Sequence, residues 1–399
     1  MARELGKKRR LTATVIVASV IGLTAVANLL HMHKKIVADE LGLNHLRRGL
    51  RHAEYQHQDN DNAIEPEMIT DSNKMGEGEA HEQPAAPLRH RLPNVLLIGA
   101  QKSGSTALAG FLFSQGACSA QTFPGEPAYW KKEVHFFDKD ERYRQGAGFY
   151  AKRFAHCYNG TFDPATAAED AAEPAKKLVM DATPNTLMRW RRVRRIYDFA
   201  GGGQTNTLKI LLILREPVSR ELSLYNHKAK LAKDGGHPLF ARGVLDKDGE
   251  VLTFPKFAGR TMYGINSTDG TCLFSMSDAE CYGLYVHHLR GWLHSFRPDQ
   301  VLVLAYDELK NNDRQLIKRV RAFLDINEVV GQKEEVETKN EQHHTNKVTL
   351  PPCWLQTKLA KTFHKANEDL YRLLDQKKEP SMEQRPFPQF ILSNCTRAM

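Results

Sequence analysis

No two of the six cysteines stand in a CxxC pair, so the usual frame of a zinc site is missing. Zinc-finger spacing, a helix-turn-helix and an aromatic–glycine RNA signature are absent too, and a nucleic-acid partner is not expected. No internal repeat is visible, which removes repeat arrays from consideration. An acidic surplus is also lacking. The formal net charge is +9, and Met1–His90 contributes none of it, with 12 basic against 12 acidic residues. The whole excess lies in Arg91–Met399, which suits an anionic small molecule or polymer as partner.

Charge is missing altogether from Leu11–Leu30, a run of 20 residues. At about 1.5 Å per residue it spans a bilayer core of roughly 30 Å. Arg3, Lys7, Lys8, Arg9 and Arg10 precede it and favour a cytoplasmic N-terminus, a bias weakened but not reversed by Lys34 and Lys35. The expectation is a cytoplasmic tail over 1–10 and a single-pass type II signal anchor over 11–30. A cleaved signal or a transit segment is the alternative. Residues 31–90 are rich in His, Asp, Glu, Asn and Gln and poor in large apolar residues, so they read as a flexible stem. A folded domain is expected over 91–399.

That domain is organised around Val95-Leu-Leu-Ile-Gly-Ala-Gln-Lys-Ser-Gly-Ser-Thr-Ala-Leu108. Val95–Ile98 reads as a buried parallel strand and Thr106–Phe113 as a helix. Strand, glycine-containing loop and helix N-terminus form an anion cradle, because free N–H groups and the helix dipole point at the same place. Lys102 adds charge, and Ser103, Ser105 and Thr106 add hydroxyls. This is not a Walker loop: Gly99 and Gly104 have the right gap, but Ser105 stands where that motif needs lysine. Alone, the stretch also fits an ordinary strand–helix turn.

Further strands are expected at Leu178–Met180, Leu208–Leu214 and Val301–Leu304. Helices are expected at Trp190–Phe199, Pro217 to about Leu231, Tyr282–Phe296, Arg314–Leu324 and Leu355–Leu374. The alternation predicts an α/β domain whose parallel sheet is covered on both faces. Arg215 ends the Leu208–Leu214 strand and Ser223 lies eight residues on. An arginine at such an end can grip a phosphate in two places, and a serine can share it. A third segment, Lys131-Lys-Glu-Val-His-Phe-Phe-Asp138, offers an acid beside a histidine. Drawing a proton from an attacking hydroxyl needs such a base, which typically contributes about 10²–10⁴-fold.

The run Gln101-Lys-Ser-Gly-Ser-Thr106 resembles the 5′-phosphosulfate loop of the sulfotransferases, which use 3′-phosphoadenosine 5′-phosphosulfate (PAPS) as donor. Leu214–Tyr225 resembles their 3′-phosphate segment, with Arg215 and Ser223 at the binding positions. In the glycosaminoglycan branch of that family a Glu-Pro-His-Phe-Phe run holds the catalytic base; here Glu133, His135, Phe136 and Phe137 match, with Val134 in place of the proline. Tyr282–Phe296, Val301–Leu309 and Ala366–Leu374 resemble further family elements, so the resemblance runs in patches from Leu92 to Leu374. It implies a P-loop-like phosphosulfate loop on a parallel sheet flanked by helices. It implies PAPS held by Lys102, Ser103, Gly104, Ser105, Thr106, Arg215 and Ser223. Glu133 becomes the base, Lys102 stabilises the leaving phosphate, His135 orients Glu133 or the acceptor, and no metal is required. The implied protein is a Golgi glycoprotein, membrane-anchored with its catalytic domain lumenal, acting on a carbohydrate, a glycosaminoglycan or related polysaccharide.

Two departures are visible. Ala182 stands where the heparan-sulfate enzymes carry a lysine, and their C-terminal Lys-Gly-Arg-Thr-like loop is replaced by His343–Lys347 and Pro351–Trp354. The short C-terminal region looks more like that of the branch that sulfates galactosamine-type chains, or of an unassigned relative. Two readings of other classes stay open. One is a nucleotide kinase or NTPase with Asp307 and Glu308 after Val301–Leu304; the other is a non-catalytic polyanion-binding membrane protein. In a lumenal domain Cys272 and Cys281, which flank a short loop, could pair; two separate buried thiols are the alternative. Sequons occur at Asn159, Asn266 and Asn394.

Overall fold

A computed structural model describes residues 90–158, 178–201, 203–235, 243–273, 281–311, 314–326, 351–376, 387–392 and 395. The 11–30 anchor, nearly all of the 31–90 stem, His343–Lys347 and the sequons at Asn159 and Asn394 lie outside them. Among the described residues no helix is long and apolar enough to cross a membrane.

Four parallel strands form the central sheet: β1 (Val95–Gly99), β2 (Met180–Asp181), β3 (Lys209–Leu214) and β6 (Val301–Ala305), in the order β2-β1-β3-β6. The apolar runs of β1 and β3 follow from burial on both sides, since every residue of β1 is buried. Alternation sorts them. Val95, Leu97, Leu211 and Ile213 face one cluster, which they share with Leu108, Phe111 and Leu112 of α1 (Ser105–Ser114). Leu96, Ile98, Ile210 and Leu212 face the other, built with α2 (Trp190–Ala200). A third helix, α3 (Pro217–Lys233), follows β3. Glu216 caps it, accepting from the N–H groups of Val218 and Ser219. Next come α4 (Phe254–Gly264) and the two-residue hairpin β4 (Ile265–Asn266) and β5 (Thr271–Cys272). After them α5 (Tyr285–Ser295) adds Leu289 and Trp292 to the second cluster. The chain closes with β6, α6 (Tyr306–Lys310), α7 (Arg314–Leu324) and α8 (Cys353–Gln376). α7 covers the first face and α8 the second.

Observed bounds depart from the expected ones mainly at ends. The Tyr282–Phe296 helix is shorter, and the Leu178–Met180 strand is the two-residue β2, with Val179 in a separate bridge to Cys118. All six cysteines pair: Cys118–Cys157, Cys272–Cys281 and Cys353–Cys395. The Cys272–Cys281 pair is the one the sequence raised. Among the described residues one group is spaced to hold a metal, Cys118, His156 and Cys157, and both its sulfurs are joined to each other.

The chain leaves β1 toward β2 on one side, whereas β3 leads to β6 on the other. Neighbouring strands whose connections diverge leave a crevice at their carboxyl ends, where open α/β sheets bind ligands. The loop after Gly99 and the residue after Leu214 border that crevice.

Candidate active site

The loop from Ala100 to Gly104 is pinned to β3, because the Ala100 N–H donates to the Ile213 carbonyl at 2.7 Å. Lys102 adopts the left-handed conformation at φ 65°, which costs a residue with a side chain about 1–3 kcal/mol. Gly104 caps α1 at φ 95° and makes no side-chain cap. A Cβ there would stand 2.9 Å from the Tyr306 ring, so glycine is required twice over. The first-turn N–H groups of α1 are thus left to face a ligand. Of the three hydroxyls expected to help, Ser103 and Ser105 are buried and Thr106 is exposed.

Arg215 leaves the end of β3 and donates to the Lys102 carbonyl at 3.3 Å. Its guanidinium lies 4.6 Å from the centre of the Tyr306 ring. Tyr285 fixes its backbone, donating to the Arg215 carbonyl at 2.8 Å. Ser223 stands in the second turn of α3, half-buried. Burial pushes the Lys102 amine down to about 8, helped by the charges of Arg215 and Lys132 and opposed by Glu133.

Glu133 and His135 follow a short 3₁₀ turn, Ala128–Lys131. The Tyr129 carbonyl accepts from the Glu133 N–H. The proline expected before the histidine is absent, yet the backbone is held. Arg142 donates to the Val134 carbonyl, and the His135 N–H donates to Thr183 Oγ1 at 3.2 Å. His135, like Lys102, is left-handed, at φ 53°. Its Nδ1 lies 2.9 Å from Asp138 Oδ2 and its Nε2 lies 3.4 Å from Glu133 Oε2. Asn185 donates to the same Asp138 oxygen at 3.3 Å. Burial alone would lower the imidazole; bonds to Asp138 and then Glu133 outweigh it and raise it to about 9. Burial would likewise raise Glu133, but His135 and Lys132 hold its carboxyl below the usual range. At neutral pH the arrangement is therefore a carboxylate, an imidazolium and a second carboxylate in line.

Sequence reasoning missed several supports. Asp138 and Asn185 orient His135, and Asp181 at the end of β2 accepts from Tyr150 and from Thr183. Asp181-Ala-Thr-Pro184 follows the expected strand, but the link of Thr183 to His135 depends on a contact 48 residues apart. Lys132, which donates to Thr106 Oγ1 at 3.0 Å and to Glu133, carried no signal beyond its charge. Glu308, the acid a nucleotide hydrolase would direct at a metal, is engaged elsewhere. It accepts from the Ala305 N–H and from Arg319.

A phosphate-type loop after the first strand, an arginine at the end of a neighbouring strand and an acid joined to that loop through Lys132 define an α/β fold built around an anion-type loop. Residues 92–384 match the family model described as the sulfotransferase domain. The chain belongs to that family. Mouse heparan sulfate glucosamine 3-O-sulfotransferase 6 is 26% identical over 249 residues, covering 62% of this chain and 57% of that protein. The Dictyostelium discoideum membrane-associated sulfotransferase kil1 is 23% identical over 347 residues, covering 71% and 65%. The chain thus spans somewhat over half the length of these curated relatives. A sulfotransferase structure from Alicyclobacillus acidocaldarius is similar at 22% identity and a TM-score of 0.41, covering 71% of this chain and 96% of that one. The first of these names refers to heparan sulfate, from whose enzymes Ala182 and the C-terminal stretch depart.

Proposed function

We propose that this protein transfers a sulfuryl group from PAPS to a hydroxyl of a carbohydrate, a glycosaminoglycan or related polysaccharide. One observation carries the reading. Arg215 donates to the Lys102 carbonyl, and Lys132 ties Thr106 of the same loop to Glu133, so the anion loop, the guanidinium and the base stand together at one end of the sheet. Lys102, Thr106 and the first-turn N–H groups of α1 fit a 5′-phosphosulfate. Arg215, which lies over Tyr306, is proposed to hold the 3′-phosphate together with Ser223 of α3.

Glu133 is the base. It is ionised at neutral pH and partly exposed, with Oε1 paired to Lys132 and Oε2 beside His135, and it accepts the proton of an incoming hydroxyl once the Lys132 contact is exchanged. His135, fixed by Asp138, keeps that carboxylate aimed and holds a positive charge beside it. Lys102 offsets charge on the leaving phosphate, the kind of electrostatic contribution that is often the largest in catalysis. Named relatives acting on heparan sulfate favour an acidic polysaccharide acceptor. The location follows the same reading: Leu11–Leu30 anchors the chain as a type II protein of the Golgi membrane, with residues 91–399 lumenal. Three disulfides support this, because such bonds persist in oxidising compartments.

The test is incubation of the purified full chain with labelled PAPS and a panel of heparan, chondroitin and dermatan acceptors. Label transferred to one of them is the expected result. Tight binding of these polymers with no adenosine 3′,5′-bisphosphate released would favour a non-catalytic polyanion binder instead.

A further inference from the structure

Lys132 stands where the two halves of the site meet. Its backbone is fixed at the carboxyl end of the sheet, since its carbonyl accepts from the Ala182 N–H, just after β2, at 3.0 Å. Its side chain crosses from there to α1. Nζ donates to Thr106 Oγ1 at 3.0 Å and pairs with Glu133 Oε1. The loop hydroxyl and the base therefore share one ammonium.

The cations here are not equally partnered. Arg215 faces Glu216, and His135 is shared among Glu133, Asp138 and Asp181. Lys102 and Lys132 both act on one carboxylate, Glu133. Two ammonium groups that share one carboxylate beside an anion loop are stabilised by an anion that joins them. Ala182, the residue that abuts Lys132, has no side chain with which to supply or compete for that charge.

We propose that Lys132 is a further catalytic residue: it binds the transferring sulfuryl group between Thr106 and Glu133. This rests on the reading of the site as a PAPS-dependent sulfotransferase. In the free protein Lys132 pairs with Glu133. With donor in place its ammonium lies on the sulfuryl oxygens, and Glu133 is freed to accept the acceptor proton. The acceptor oxygen forms its bond to sulfur while the bond from sulfur to the phosphate oxygen breaks. The proton goes to Glu133, and the electron pair leaves with the 5′-phosphate. Lys132 holds its proton throughout.

Lys132→Met keeps the length of the side chain and removes the charge; Lys132→Arg keeps the charge. Both are made in the full chain and checked by thermal melting. Without acceptor, PAPS should bind Lys132→Met about 10-fold or more weakly, while adenosine 3′,5′-bisphosphate, which lacks the sulfuryl group, should lose much less. Turnover should fall at least as far, and Lys132→Arg should recover part of it. Glu133 must be ionised to act, so the rate falls on the acid side. Removing the cation beside it raises its pKa, and the acid limb of kcat/KM should move to higher pH in Lys132→Met. Equal losses for both ligands, or an unmoved acid limb with near wild-type turnover, would overturn the role of Lys132. A wild-type protein that binds neither ligand would instead sink the sulfotransferase reading beneath it.

Discussion

Replacing Arg215 by alanine separates a donor that carries a 3′-phosphate from one that does not. Among the described residues the side chain makes one hydrogen bond, to the Lys102 carbonyl at 3.3 Å, and rests on Tyr306; its charge also acts on the buried Glu216, which keeps its cap bonds to α3 when Arg215 is lost. A charge-assisted contact to a phosphate is worth about 1.5–3 kcal/mol, or roughly 10- to 150-fold in affinity. Adenosine 3′,5′-bisphosphate should weaken by that factor. ADP, with no 3′-phosphate, should not. A second effect runs the other way. Arg215 is one cause of the depressed Lys102 amine, after burial. Removing it raises the Lys102 pKa, so the ammonium persists to higher pH. In the wild type both ligands should weaken as pH rises through about 8, where Lys102 loses its proton. In Arg215→Ala that fall should start later, and ADP should bind as well as before or slightly better. Calorimetry without Mg²⁺, at pH 7 and at pH 9, reads all of this. Equal losses for the two nucleotides, or a wild type that prefers ADP, would refute the placement of the 3′-phosphate.

Glu133→Gln keeps the shape and removes the proton acceptor, so turnover should fall about 10²-fold or more with little change in bisphosphate affinity. Near wild-type turnover would take Glu133 out of the mechanism. The His135 imidazole is raised from its usual 6.5 to about 9, so the stability it contributes is present in full below 6.5 and is lost as pH rises through about 9. Asp138→Asn removes a principal cause of that shift, and the fall in melting temperature between these pH values should flatten; an unchanged slope would place the charge elsewhere. Expressed in a secretory system, the chain should lose mass on glycosidase treatment at one or more of Asn159, Asn266 and Asn394. Full protease sensitivity of the C-terminal domain in sealed microsomes would contradict a lumenal location.

Much of the sheet was legible because its strands are buried on both sides. Val95–Gly99 and Lys209–Leu214 need no alternation of polar residues, and their apolar runs stand out. β2 was legible only in part, because two residues cannot carry a period. The loop lysine and Arg215 could be picked out from their places after strands, and Glu133 from the resemblance of its segment. What could not be read was how they join. Lys132 reaches Thr106 across 26 residues, and Asn185 reaches Asp138 across 47. The Cys118–Cys157 and Cys353–Cys395 pairs close 39 and 42 residues, whereas Cys272 and Cys281 stand nine apart and suggested themselves. The left-handed turns at Lys102 and His135 are set by the surrounding contacts, and neither residue type announces them.

Tyr306 touches the place where a Cβ on Gly104 would sit and lies beneath the Arg215 guanidinium. One flat ring therefore sets the span between the anion loop and the arginine. If the proposed placement of PAPS holds, a nucleotide with anionic groups at both ends of that span would meet the loop and the arginine at once. One with its phosphates in a single chain would reach one of them, so distance would select among nucleotides before any base is recognised.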